Sequence, residues 1–195
     1  DVTARCVSML AQLGETEKTS KAVADGVAYL RRTQLAEGSW YGRWGLNFIY
    51  GTWSVLCALN AAGIDHQDPM IRKAVDWLVS IQNQDGGWGE DAVSYRLDYR
   101  GYEVAPSTSS QTAWALLALM AAGEVENAAV LRGVEYLKTT QTEKGLWEEQ
   151  RFTATGFPRV FYLRYHGYSK FFPLWALARY RNLRNTNSRV VGVGM

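Results

Sequence analysis

Two pairs of acidic residues, Glu90-Asp91 and Glu148-Glu149, are the first groups in this chain that could do chemistry. Paired carboxylates flanking a sugar linkage can hydrolyse it. Both pairs follow a tryptophan at the same place in a repeated phrase, which favours a plainer role, capping a neighbouring helix. The two histidines, His66 and His166, lie far apart and have no Cys or His neighbour at ligand spacing, which argues against a zinc centre. No Gly-x-Ser-x-Gly phrase supports a nucleophilic serine. Asp85-Gly86-Gly87 reads as a turn and not as a phosphate cradle.

Two aromatic inserts offer different chemistry. Residues 39–52 read Ser-Trp-Tyr-Gly-Arg-Trp-Gly-Leu-Asn-Phe-Ile-Tyr-Gly-Thr and lead into an apolar run at Trp53. Residues 156–168 carry Phe157, Phe161, Tyr165 and Tyr168 at helical spacing. If helical, they form one aromatic stripe, with Pro158 suited to the first turn. Core packing is the default reading of such a stripe. The alternative is that the ring faces stabilise cations without attacking them, which suits a hydrocarbon that becomes a carbocation.

The elements that must position these groups are written in a phrase that occurs three times. Tyr29-Leu30 leads to Gln34 and Gly38-Ser39-Trp40; Trp77-Leu78 to Gln82 and Gly86-Gly87-Trp88; Tyr136-Leu137 to Gln141 and Gly145-Leu146-Trp147. Before each phrase lies an apolar run ending in glycine: residues 2–14, 52–63 and 110–123. Gly14, Gly63 and Gly123 fit the left-handed position just past a helix end. The unit is an apolar helix, a loop, a more amphipathic helix and a Gly-x-Trp turn, and strand-like alternation is nearly absent. The expectation is an all-α fold, helix hairpins stacked in a ring or solenoid. The Gln amide is expected to bond backbone at helix ends, with Trp stacked on it and donating its ring N–H. Such a pair would staple one outer helix to the start of the next.

The chain has 195 residues, 47% of them hydrophobic, enough for a sizeable core. A net charge of +2 gives no reason to expect a nucleic-acid partner. Cys6 and Cys57 both lie in apolar helical runs and read as buried free thiols. No apolar run reaches the roughly 18 residues of a membrane span. The chain opens at Asp1 inside a helical run, which suggests the C-terminal part of a longer protein.

The Gln…Gly-x-Trp phrases resemble the QW motifs of the triterpene cyclase family. Four stretches closely resemble its squalene-hopene cyclase branch: residues 38–45 (Gly-Ser-Trp-Tyr-Gly-Arg-Trp-Gly), 82–90 (Gln-Asn-Gln-Asp-Gly-Gly-Trp-Gly-Glu), 110–116 (Ser-Gln-Thr-Ala-Trp-Ala-Leu) and 155–163 (Thr-Gly-Phe-Pro-Arg-Val-Phe-Tyr-Leu). The likeness runs from Asp1 to about Arg181 and matches the C-terminal part of that family's α/α-barrel.

The resemblance implies a proton-started cyclisation of squalene to hopene and hopanol without a cofactor. It implies an acid in an Asp-x-Asp-Asp motif upstream of the matched segment, so that residues 1–195 alone are expected to be inactive. By the same match Asp1 and Arg5 tune that acid, and Trp44 and Tyr50 line the initiating end of the cavity. Phe157 and Phe161 stabilise later ring cations, and Tyr165 and Tyr168 line the cavity nearby. The implied partners are squalene and a membrane surface, with no nucleic acid; a homodimer is left open. The implied location is the cytoplasmic side of the cell membrane, held peripherally. Residues 185–195 read as a flexible basic tail that either is simply solvated or aids binding to anionic lipid. The rival readings are a zinc-dependent prenyltransferase ring, for which the ligand set is missing, a glycan-processing toroid using Glu90 or Glu148, and a non-catalytic repeat scaffold.

Overall fold

A computed structural model describes residues 1–96 and 101–186. The basic tail predicted for residues 185–195 therefore lies, beyond Thr186, outside the described residues. Seven helices run in order: α1 (Val2–Gln12), α2 (Lys21–Thr33), α3 (Asn47–Ala61), α4 (Pro69–Ser80), α5 (Ser109–Ala121), α6 (Ala128–Thr139) and α7 (Tyr168–Asn185). The odd-numbered helices pack side by side as an inner row, and α2, α4 and α6 lie against α1, α3 and α5 as an outer row.

Sequence pattern explains the layering. Every residue of α5 is buried, and twelve of α3 are, because each is flanked by inner helices and backed by an outer one. The outer helices are amphipathic. α2 buries Val23, Gly26, Val27 and Leu30, and α6 buries Ala129, Val130, Gly133, Val134 and Leu137, the spacing of one helix face. Their starts are capped locally: Ser20 accepts from the Val23 amide, Asp68 from Met70 and Asn127 from Ala129. Gly14, Gly63 and Gly123 follow the first three inner helices with φ of 92°, 73° and 84°, as the sequence predicted.

The Trp bond of the staple is present in all three repeats, and the Gln link to the next outer helix in the first two. Trp40, Trp88 and Trp147 donate their ring N–H to the carbonyls of Leu30, Leu78 and Leu137, at 2.7, 2.8 and 2.8 Å. Gln34 donates to Gly38 O in its own loop and to Met70 O at the start of α4, both at 2.9 Å. Gln82 does the same to Gly86 O (2.7 Å) and to Ala129 O at the start of α6 (2.8 Å). Among the described residues Gln141 holds only its own loop, through Gly145 O. A second joint ties the first two turns to an inner helix: the Trp40 amide donates to the Thr52 hydroxyl and the Trp88 amide to the Thr112 hydroxyl.

The mostly helical fold is as expected, with small sheets added to it, and two finer expectations need correction. Small sheets are present: β1 (Trp88–Glu90) pairs antiparallel with β2 (Val104–Thr108), and β3 (Ala154–Phe157) with β4 (Phe161–Leu163). The segment carrying Phe157 and Phe161 is thus a hairpin, not a helix. Pro158 fixes the first corner of its turn, Arg159 takes φ of 72°, and the Val160 amide closes on Phe157 O at 2.9 Å. Cys6 is exposed while Cys57 is buried, because α1 buries only Ala4, Val7 and Ser8 and Cys6 lies off that stripe.

Candidate active-site face

The inserts and the inner-helix starts meet at one end of the row. Asp1 caps α1 by accepting from the Val2 amide at 2.7 Å, and its other oxygen accepts from the Arg43 and Trp44 amides at 2.8 and 2.9 Å. Asp1 therefore holds the loop that presents Trp44. That loop in turn pairs with the hairpin. Gly45 bridges Ala154, the Thr155 amide donates to Trp44 O at 3.1 Å, and the Leu46 amide donates to Thr153 O at 3.0 Å. Three segments far apart in sequence are thereby joined, the first through the Asp1 carboxylate and the other two through backbone.

Glycines let the rings lie close to this backbone. A Cβ on Gly45 would overlap the ring of Tyr50, and one on Gly156 would overlap the ring of Phe161. Phe157 meets Phe161 edge-on at 5.5 Å, and the Arg43 guanidinium lies 4.5 Å over Trp44 and 5.5 Å from the Phe157 ring. Tyr165 lies 4.9 Å from Tyr168, which packs edge-on against Trp114 at 5.8 Å. Burial raises the Tyr168 hydroxyl to about 12, with smaller contributions from Tyr50 and Tyr165, so it stays neutral at physiological pH.

All eight residues singled out in the sequence lie on this connected face. Behind it stands an aromatic group on the inner helices. Trp53 and Trp114 stack in parallel, 5.9 Å apart and 7° from coplanar, and Tyr50 meets both edge-on at 5.4 and 5.0 Å. Phe172 and Trp175 of α7 close against Trp53. Arg5 lies 4.3 Å over the Trp53 ring and 5.8 Å from Tyr50. The sequence signal for this group was abundant aromatic residues on adjacent inner helices; their register was not legible.

The face is open. Trp44, Phe157, Phe161 and Tyr165 are 51%, 58%, 44% and 49% exposed, far more than core rings. It is neither a solid core nor a polar groove. Of the two carboxylates named for the glycosidase rival, Glu90 is spent on backbone and Glu148 is exposed, while its neighbour Glu149 heads a helix. Glu90 accepts from the Phe48 and Ile49 amides at 3.1 and 3.0 Å, heading α3. Glu149 accepts from the Ser110 amide and hydroxyl, both at 2.9 Å, heading α5. His66 bonds Asn60 at 3.1 Å and packs on Gly123, a structural role.

Residues 1–182 match the squalene-hopene cyclase C-terminal domain. The chain belongs to that family. It is 87% identical across its whole length to the squalene-hopene cyclase of Bradyrhizobium diazoefficiens, covering 30% of that protein. It is 49% identical over 93% of its length to the squalene-hopene cyclase of Alicyclobacillus acidocaldarius, covering 28%. It is 44% identical, again over 93% of its length, to the dammaradiene synthase of Dryopteris crassirhizoma, covering 30%. The chain thus spans under a third of these relatives, and the aromatic face lies within a segment that the family shares.

Proposed function

We propose that this segment forms part of the cavity wall of a squalene-hopene cyclase and stabilises the cations of squalene cyclisation. The observation that carries the proposal is the open face on which Trp44, Tyr50, Phe157, Phe161, Tyr165 and Tyr168 are brought together. An acid from the upstream part of the protein protonates a terminal alkene. The wall holds the chain folded, which removes much of the entropy barrier to ring closure. Ring faces then stabilise the migrating charge, each worth about 2 kcal/mol once water is excluded. About 1.4 kcal/mol is a tenfold change in rate, so several rings together rival the acid in importance.

The full-length protein incubated with squalene should give cyclic triterpenes by gas chromatography, and residues 1–195 alone should give none. Absence of cyclic product from the full-length protein would refute the reading.

Peripheral membrane attachment on the cytoplasmic side belongs to the same proposal, because squalene partitions into bilayers. Among the described residues no helix is long and apolar enough to cross a membrane. Of the arginines near the C-terminus, Arg184 pairs with Glu126 and Arg179 lies over Trp175, so both are engaged by the fold. Deleting residues 185–195 should weaken binding to anionic liposomes at low salt if the tail contributes; unchanged binding would remove it from the account.

A further inference from the structure

We propose that Glu90 is a positioning residue of the aromatic face, setting the head of α3 under Tyr50 and, through Ser94 and Asn47, the loop that carries Trp44. This rests on the cyclase reading above. Glu90 is 1% exposed, and its place two residues after a repeat tryptophan gives only a helix cap. The structure adds three facts.

First, α3 has no cap of its own. Its N-cap residue is Leu46, which has no side-chain acceptor, whereas Thr108 caps α5 locally in addition to Glu149. The amides that Glu90 holds belong to Phe48 and Ile49, the two residues before Tyr50. Second, the carboxylate continues into a buried chain of bonds. The Ser94 hydroxyl donates to Glu90 Oε1 at 3.0 Å, Asn47 Nδ2 lies 3.1 Å from the Ser94 hydroxyl, and the Gly42 amide donates to Asn47 Oδ1 at 3.3 Å. The Tyr95 hydroxyl lies 2.6 and 2.7 Å from the carbonyls of Gly42 and Gly45, so the backbone is gripped on both sides of Trp44. Third, Glu90 is itself clamped by α5. Its amide donates to Gln111 Oε1 at 3.2 Å and its carbonyl accepts from Gln111 Nε2 at 3.3 Å. One residue, its backbone on α5 and its carboxylate on the head of α3 and the Trp44 loop, therefore joins all three in a single register, and a small tilt of a buried, fully bonded group moves rings that meet substrate.

Three variants of the full-length protein test this. Glu90→Gln keeps the shape but turns an N–H2 toward one of the two α3 amides. Ser94→Ala leaves the cap and the 3.3 Å bond from Asn47 Nδ2 to the Ser94 carbonyl and removes only the hydroxyl that relays Glu90 to Asn47 and the Trp44 loop, so it decides the matter if Glu90→Gln does not fold. Gln82→Ala, remote from the face, reports what lost stability alone does. Product ratios from squalene should shift about tenfold toward incompletely cyclised triterpenes in the first two, corresponding to about 1.4 kcal/mol between competing exits from one cation. They should not shift in Gln82→Ala. In protein labelled with 5-fluorotryptophan, the Trp44 fluorine resonance should move in Ser94→Ala while that of Trp147 stays. Wild-type product ratios in folded Glu90→Gln and Ser94→Ala, with an unmoved Trp44 resonance, would overturn the proposal. If the wild type itself formed no cyclic product, the cyclase reading would fail, and the Trp44 resonance alone would decide whether Glu90 positions the loop.

Discussion

The ring of Phe161 occupies the space in which a Cβ on Gly156 would stand. Gly156 lies at the register shift of the β3–β4 hairpin, next to the Phe157–Phe161 pair, so the glycine sets the height at which the Phe161 ring lies above the sheet. Gly156→Ala should push Phe161 away while leaving its chemistry intact. In the full-length protein, the share of incompletely cyclised product should rise several-fold, a change worth about 1 kcal/mol, with only a small loss of melting temperature. A wild-type product spectrum would show that the height of the ring does not matter.

Phe161 itself separates volume from π character. Phe161→Leu keeps much of the apolar bulk and removes the ring face; Phe161→Tyr and Phe161→Trp keep a face. Leucine should lose about thirtyfold in complete cyclisation, the equivalent of one cation–π contact of about 2 kcal/mol, and the aromatic variants should lose less. Gas chromatography of the products decides it, and equal behaviour of leucine and wild type would return the ring to a packing role.

The staples should differ in strength. Gln82→Ala leaves the carbonyls of Gly86 and Ala129 without their donor and should cost about 1–3 kcal/mol in a denaturant melt. Gln141→Ala removes one exposed bond to its own loop and should cost less than about 1 kcal/mol. Equal costs would mean that the link between repeats contributes nothing.

Burial pushes the Glu90 carboxyl from 4.5 up to about 7, against the pull of the Ile49 and Phe48 amides and the Ser94 hydroxyl and aided by Asp91. A carboxyl that holds its proton more tightly when folded stabilises the fold at low pH. That stabilisation is lost as pH rises from 4.5 through about 7. Across this window the wild type should lose roughly 3 kcal/mol relative to Glu90→Gln. Melts of both proteins at the two ends of the window measure it; parallel stability curves would mean that Glu90 titrates as an exposed carboxyl does.

The repeat frame was legible in the sequence because its signals are local. Gln34, Gly38 and Trp40 lie within one turn, and each reports a bond that its type requires. The capping roles of Glu90 and Glu149 were legible for the same reason, from recurrence. The hairpin was not. A spacing of four between Phe157 and Phe161 fits a helix, but it also joins two strands across a short turn. Pro158 carried the decisive signal, and it suits the first corner of a β-turn as well as the first turn of a helix. The Trp53–Trp114 stack was hidden for a different reason. Both helices are apolar on nearly every side, so periodicity could not say which ring faces which.

The joint between turn and inner helix has an evolutionary consequence. From Trp40 to Thr52 it spans 12 residues, and from Trp88 to Thr112 it spans 24, yet the same amide meets the same hydroxyl. The frame is thus indifferent to how much chain hangs between those two anchors. Extra residues can be added or trimmed there without re-registering the helices, and the longer insert is the one that carries Glu90, Ser94 and Tyr95. A lineage that lengthens or shortens such an insert alters what borders the aromatic face while its scaffold stays fixed, so new product outcomes are reachable by insertion and deletion as well as by substitution.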